Sequence, residues 1–487
     1  MLQDLYKTSL GLLTDLYQIT MAYGYWKSNM HHQETVFHLF FRKAPFQGGY
    51  AIATGMETVT ELITHLHFSD TDIAYLATLQ GNDQQPLFET AFLDYLANLS
   101  FDVDVAGVQE GNLVFAHEPI LRISGKIIPC QLIETALLTC VNFQTLIATK
   151  ASRVCHAAEN DTVLEFGLRR AQGFDGGISA CRAAFIGGAH ATSNVLAGKL
   201  LQIPVKGTHA HSWVMMFDTE MEAFQTYAEA MPNNCVFLVD TYDTIEGVTN
   251  AIAVAKQLRT QGKEIMGIRL DSGDIAELSK KARQLLDDAG FTQAKIVASD
   301  SLNEYRIQEL KKQGAHVDIW GVGTNLVTSE DQPALGGVYK LAAVRQTPGS
   351  PWKAKVKLSN SPIKISNPGI LQIRRFWNTE QTMVCDVMYD MEQGIHTEEI
   401  FDLHGNLVSV DLHTCSYADL LQPLIQAGTR LHAPTHISDI REFSMKQQER
   451  LPEAYKQYTV SDAFPVYLDQ YVWKQKQQLI TQHRHNS

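Results

Sequence analysis

Arg269-Leu270-Asp271-Ser272-Gly273-Asp274 places a guanidinium and two carboxylates in one short stretch, at the end of the apolar run EIMGIRL. A guanidinium that ends a buried strand is costly unless it meets an anion or a carboxylate. Asp271 and Asp274 stand at a helix start, so one reading of them is plain N-capping. The other reading gives their hard oxygens to Mg²⁺ or to ribose hydroxyls. Gly321-Val322-Gly323-Thr324 follows the run VDIW, and a glycine pair with a hydroxyl residue suits a turn that aims N–H groups at a phosphate. Gly207-Thr208-His209-Ala210-His211 carries alternating histidines, which an extended segment points to one side. They suit ordinary hydrogen-bonded histidines, a metal site with no evident third ligand, or a nucleophile that accepts a phosphoryl group. Phe166 stands near Arg169 and Arg170 in EFGLRRAQG. An aromatic face beside guanidinium groups suits a flat anionic ring; the plainer reading is a core phenylalanine and an ion-paired arginine.

These residues need a scaffold that gathers strand ends. Short β-rich runs recur from residue 162 onward: TVLEF, IPVKG, CVFLVD, EIMGIRL, AKIVASD and VDIWGVG. Helical patterns separate most of them, at about thirty residues per unit, the length of a βαβ module. In DIAELSKKARQLLDDAG, Ile275, Leu278, Ala282, Leu285 and Ala289 repeat at helical spacing and Gly290 supplies a stop. Consecutive βα units predict a parallel barrel or a doubly wound sheet, with the chemistry just beyond the strand ends. Asp240-Thr241-Tyr242-Asp243 and Ser299-Asp300-Ser301 occupy further strand ends. Elsewhere the patterns predict a helix over 10–26, strands in ETVFHLFFRKAP and GGYAIATG, antiparallel strands over 102–126 and a long helix over 131–158. The resulting division is an α/β N-terminal domain (1–130), an α/β catalytic domain (131–345) and a C-terminal domain (346–487) packed on the first.

Of the 487 residues 45% are hydrophobic and 19% charged, which suits a large core and not a disordered chain. The net charge of -13 argues against nucleic acid or an anionic membrane as partner, since both need a basic field. An acidic protein still binds phosphates where one pocket is locally basic. Seven cysteines, odd in number and without a CxxC pair, predict reduced thiols in a cytoplasmic protein. Thr14, Asp15 and Gln18 interrupt the first apolar run, so neither a signal peptide nor a membrane span is expected. P-loop, dinucleotide-binding, GxSxG and HExxH patterns are missing.

TDLYQITM, EFGLRRAQG, GGAHATSNVLAGK, GTHAHSW, VFLVDTYDT, RLDSGD, WGVGTNLVTSEDQPALGGVYKL and SNPG, in this order and spacing over residues 10–375, together resemble the nicotinate phosphoribosyltransferase family. The resemblance implies an α/β N-terminal domain, an irregular α/β barrel and a C-terminal domain packed on the first. It also implies a homodimer with active sites shared between subunits. The implied reaction joins nicotinate to phosphoribosyl pyrophosphate, with Mg²⁺ and with ATP as co-substrate. It gives nicotinate mononucleotide and pyrophosphate for NAD salvage. By matching motifs, Tyr17 of a neighbouring subunit and Phe166 sandwich the nicotinate, and Thr208 and Arg269 contact it. Arg169 and the turn of Gly321, Gly323 and Thr324 contact phosphate. Asp271 serves ribose and Mg²⁺, with Asp274 as a second metal candidate; His211 is the histidine that ATP phosphorylates. His211, Asp271 and Arg269 form the implied catalytic set.

One departure stands out: the family's Ser-Asn-Asp-Leu is here Ser299-Asp300-Ser301-Leu302, so the acid is displaced and Asp300 receives no role. Related nicotinamide enzymes carry an aspartate in the loop that meets the carboxamide. No Asp or Glu occurs between residues 187 and 204, and a buried carboxylate there repels nicotinate. With His190 and Arg182 nearby, this favours the acid over the amide. The rivals are a nicotinamide phosphoribosyltransferase, a phosphosugar lyase or isomerase barrel, and a phosphate-binding module without activity. The lyase or isomerase needs a Schiff-base lysine or a paired acid and base at the strand ends.

Overall fold

The computed structural model describes residues 5–485. The chain forms two compact units: a continuous one, Ile147–Pro333, and one assembled from the segments on either side of it. In the continuous unit six strands run parallel: β1 (Thr162–Glu165), β2 (Ala191–Thr192), β3 (Val236–Leu238), β4 (Gly267–Leu270), β5 (Lys295–Ala298) and β6 (Ile319–Val322). Their spatial order is β2-β1-β6-β5-β4-β3. Val163, Ile268, Ile296 and Trp320 are fully buried, as a parallel sheet enclosed by its crossover helices requires. The last strand returns to lie beside the first, yet no ladder joins β3 to the β2 edge among the described residues. IPVKG, expected as a strand, contributes a single bridge from Val205 to Thr192. The strand pattern allowed a parallel barrel or a doubly wound sheet and the resemblance implied an irregular barrel; the six strands form a parallel sheet with no closing ladder among the described residues.

Each strand hands over to a helix through a short polar turn. Asp243, Asp274 and Asn303 accept hydrogen bonds from backbone N–H groups three residues on and start α1 (Thr244–Thr260), α2 (Ile275–Asp288) and α3 (Glu304–Lys312). These caps fix where each strand end stops. Gly267 lets β4 lie close to β5: a Cβ there falls 2.0 Å from the Lys295 carbonyl oxygen.

The second unit holds a seven-stranded antiparallel sheet. Its order is Lys353–Ala354, Gly337–Arg345, Glu34–Phe41, Leu121–Lys126, Asp104–Val108, Leu421–Gln426, Thr429–Arg430. Leu421–Gln426 pairs with Asp104–Val108, so the C-terminal chain is built into the sheet of the N-terminal chain. A six-stranded mixed sheet centres on Leu371–Trp377 and Met383–Asp390, which pair antiparallel. There the fully buried Arg375 binds Asp386 through two bonds of 2.8 and 2.6 Å and donates to Asn112 at 2.9 Å. The helix expected over 10–26 runs over Leu16–Lys27, and the one expected over 131–158 is two, Ile127–Leu132 and Glu134–Ala158. Among the described residues no helix is long and apolar enough to cross a membrane, and the seven cysteines are free.

Candidate active site

Parallel register decides which strand-end side chains meet. Arg269 on β4 pairs with Leu238 of β3 on one side and Val297 of β5 on the other. Side chains two residues apart share a face of a strand. Continuing each strand by two residues therefore gives a row of Asp240, Asp271 and Ser299. The hydrogen bonds follow this row. Asp271 N donates to Asp240 Oδ2 at 2.8 Å, and Ser272 Oγ donates to the same oxygen at 2.7 Å. Ser299 Oγ accepts from Arg269 Nε at 2.8 Å and donates to Asp271 Oδ1. Arg269 Nη2 also donates to Asp271 Oδ1, at 2.7 Å. Asp271 Oδ2 lies 3.6 Å from His211 Nε2. Burial pushes the Asp271 carboxyl up, but the Ser299 hydrogen bond and the Arg269 and His211 charges outweigh it. The net result lies below the ordinary aspartate value, so Asp271 is ionised. Asp240 Oδ1 is buried and has no hydrogen-bond partner among the described residues.

The two histidines diverge, contrary to the reading that both face one side. The chain turns into a helix, His211–Met215, at the second of them. His211 Nδ1 lies 3.1 Å from Thr241 Oγ1, at the neighbouring strand end. His209 is buried instead; its Nε2 accepts the Leu238 N–H at 3.3 Å and its ring meets Tyr227 edge-on at 4.8 Å. Burial, helped by the Arg269 and His211 charges, pushes His209 down to about 4, so it stays neutral.

Beyond β1, Phe166 N donates to Val322 O at 2.8 Å, which fixes the residue against β6. A Cβ on Gly321 falls 2.7 Å from the Phe166 ring, so that glycine makes room for the aromatic. The Arg269 guanidinium lies 5.9 Å from the ring centroid. Behind this turn Glu165 is buried and accepts from Thr192 Oγ1 at 2.6 Å and from Cys181 Sγ at 3.1 Å. Arg169 and Arg170 are exposed on the turn Leu168–Arg170, and neither pairs with a carboxylate among the described residues. Thr208 Oγ1 donates to Val236 O.

Six of the residues singled out from sequence line one cavity of about 830 Å³: Phe166, Arg169, Thr208, His211, Arg269 and Asp271. Gly321, Gly323, Thr324 and Asp274 are not among its lining residues. Asp274 Oδ1 accepts from Glu277 N at 3.2 Å as the cap of α2. Tyr17 is half exposed on Leu16–Lys27, in the other unit. His190 Nδ1 accepts the Val163 N–H at 3.1 Å, and Arg182 is buried within the helix Phe174–Gly187; neither lines the cavity. Asp300 and Ser301 adopt left-handed φ of 90° and 49°, and Asp300 Oδ1 takes the Ser301 hydroxyl at 3.0 Å. Ser299 and Asp240 were read from sequence only as members of polar strand-end runs, without a role, and Glu165 was not singled out. Lateral register was the signal that finds the first two.

Three consecutive segments match family descriptions. Residues 12–142 match the nicotinate phosphoribosyltransferase N-terminal domain, 162–347 the nicotinate phosphoribosyltransferase family, and 371–476 the nicotinate phosphoribosyltransferase C-terminal domain. A nicotinate phosphoribosyltransferase of Bacillus subtilis is 42% identical over 97% of this chain and 95% of its own length. The chain belongs to the nicotinate phosphoribosyltransferase family. The human member is 34% identical over 79% of this chain and 80% of its own length. The crystal structure of human nicotinic acid phosphoribosyltransferase superposes with a TM-score of 0.83 at 28% identity, covering 96% of this chain and 99% of that one. A nicotinate-nucleotide pyrophosphorylase from Pyrococcus furiosus shares the fold, with a TM-score of 0.68 at 21% identity over 90% of this chain and 95% of that one.

Proposed function

We infer that the chain transfers the phosphoribosyl group of phosphoribosyl pyrophosphate to nicotinate, giving nicotinate mononucleotide and pyrophosphate for NAD salvage in the cytoplasm. The observation that carries this reading is the single cavity shared by Phe166, Arg169, Thr208, His211, Arg269 and Asp271. The pyridine nitrogen forms a bond to the anomeric carbon, and the bonding pair to the pyrophosphate oxygen leaves with pyrophosphate. Charge separates in the transition state, so fixed charges and dipoles supply the main stabilisation. Phe166 offers its face to the pyridine, with Tyr17 of the partner subunit in a homodimer as the second face. Arg269 and Thr208 meet the nicotinate carboxylate. Arg169, with no carboxylate of its own, meets a phosphate, as does the turn of Gly321, Gly323 and Thr324. We propose that the open parallel sheet works as an irregular barrel. Thr208 and His209 support this by bonding Val236 O and Leu238 N across the unpaired edge.

The donor set fits Mg²⁺: Asp271 Oδ2 and Asp240 Oδ1, which has no hydrogen-bond partner among the described residues, are hard oxygens on neighbouring strand ends joined by the Asp271 N–H to Asp240 Oδ2 bond. Asp271 and Asp240 would hold the ion, while Asp274 spends one oxygen on its helix cap. Bound there, Mg²⁺ would supply charge neutralisation for the departing pyrophosphate. We further propose that His211 accepts the terminal phosphoryl of ATP. A nitrogen–phosphorus bond forms as the oxygen–phosphorus bond to ADP breaks, and hydrolysis of that phosphate drives the transfer.

Equal nicotinate and nicotinamide, supplied with phosphoribosyl pyrophosphate and Mg²⁺, test the reading. The product is the acid mononucleotide, read by chromatography. Predominance of the amide mononucleotide overturns the assignment.

A further inference from the structure

Three arginines of this chain pair side-on with a carboxylate, one of several geometries it uses: Arg283 and Arg345 each put Nε and Nη2 on a single oxygen, and Arg430 meets Glu57 through Nη1 and Nη2. Arg259 meets Glu264, Arg374 meets Asp419 and Arg375 meets Asp386, each through Nε and Nη2 together onto the two carboxylate oxygens. That side-on fork uses both oxygens and is the strong geometry for such a pair. Arg269 and Asp271 do not adopt it. Arg269 Nε is taken at 2.8 Å by Ser299 Oγ, and only Nη2 reaches the carboxylate, at 2.7 Å. Both bonds received by the carboxylate, from Arg269 Nη2 and from Ser299 Oγ, fall on Oδ1. Oδ2 is left toward His211, 3.6 Å away, at the wall of the cavity.

We propose that Ser299 is a positioning residue that keeps Arg269 and Asp271 from closing into a side-on pair. Its hydroxyl sits where the second carboxylate oxygen of a side-on pair belongs. It thereby preserves one carboxylate oxygen and the remaining guanidinium N–H groups for substrate. Its own position is secure: Ser299 is buried, and its N–H donates to Leu270 O at 2.9 Å as the β4–β5 register continues past the strand end. The serine has no need to touch substrate. It acts through the two residues beside it, and the inference rests on the reading that both face nicotinate and the ribose phosphate.

Ser299→Ala removes the wedge with little change in volume. The expected result is a collapse of Asp271 onto Arg269 Nε and Nη2, visible in a crystal structure of the full-length variant. The nicotinate KM rises and kcat falls, each by about tenfold or more, as misplaced reacting groups do. The melting temperature stays near that of the parent, and Ser299→Thr, which restores the hydroxyl, regains most of the activity. Should Ser299→Ala fold poorly, Ser299→Cys keeps the volume with a weaker donor and shows an intermediate loss. An alanine variant with parental kcat and KM overturns the proposal, as does one in which Asp271 keeps a single oxygen on Arg269. Loss of melting temperature in proportion to activity, without rescue by threonine, also overturns it. Failure of the broader functional reading shows separately, as a parent enzyme that makes no nicotinate mononucleotide.

Discussion

His209 and His211 stand two residues apart and have opposite fates. The first is buried and neutral beneath Leu238 N–H; the second faces Asp271 and Thr241 at the cavity wall. Sequence alternation placed them together because it takes the segment as extended, and a helix starting at His211 breaks that assumption. His209→Ala leaves the Leu238 N–H unpaired and a void against Tyr227, for a stability loss of about 2 kcal/mol by denaturant titration. His211→Ala keeps slow transfer and near-parental stability but loses stimulation by ATP; retained stimulation removes the phosphohistidine role. Arg269 and Asp271 were legible from sequence because a charged pair at the end of an apolar run has few structural excuses. Ser299 and Asp240 were visible only as polar strand-end residues; their roles were not, because what gives them meaning is their neighbours on adjacent strands.

The strand register depends on close backbone approach, and two glycines on parallel strands distinguish scaffold from site. A Cβ at Gly267 lies 2.0 Å from a backbone oxygen of β5, which cannot move without breaking the ladder. Gly267→Ala therefore costs about 3 kcal/mol of stability, read from the denaturant midpoint. A Cβ at Gly321 lies 2.7 Å from the Phe166 ring, a side chain that yields by turning. Gly321→Ala is expected to raise the nicotinate KM with a smaller stability loss; the reverse order of the two variants contradicts this division. At the same scale β1, β3, β4, β5 and β6 were visible as β-rich runs. The two-residue β2 was not, and IPVKG gave one bridge. Short segments of apolar residues carry too little periodicity to separate a strand from a connection that merely lies alongside one.

Across the whole molecule, the runs of strands in the N- and C-terminal segments were readable, but their partnership was not. Leu421–Gln426 joins Asp104–Val108 across three hundred residues of chain, and Gly337–Arg345 joins Glu34–Phe41. Periodicity reports local faces and says nothing of which distant strand completes a sheet. The net charge of -13 coexists with a cavity that presents Arg169 and Arg269, the local reversal that an acidic phosphate-binding protein requires. The most direct test of the account is a crystal structure of the protein with nicotinate mononucleotide. The expected result is the pyridine ring stacked on Phe166, its carboxylate at Arg269 and Thr208, and the phosphate near Arg169. A mononucleotide bound outside that cavity, or with its ring away from Phe166, contradicts it.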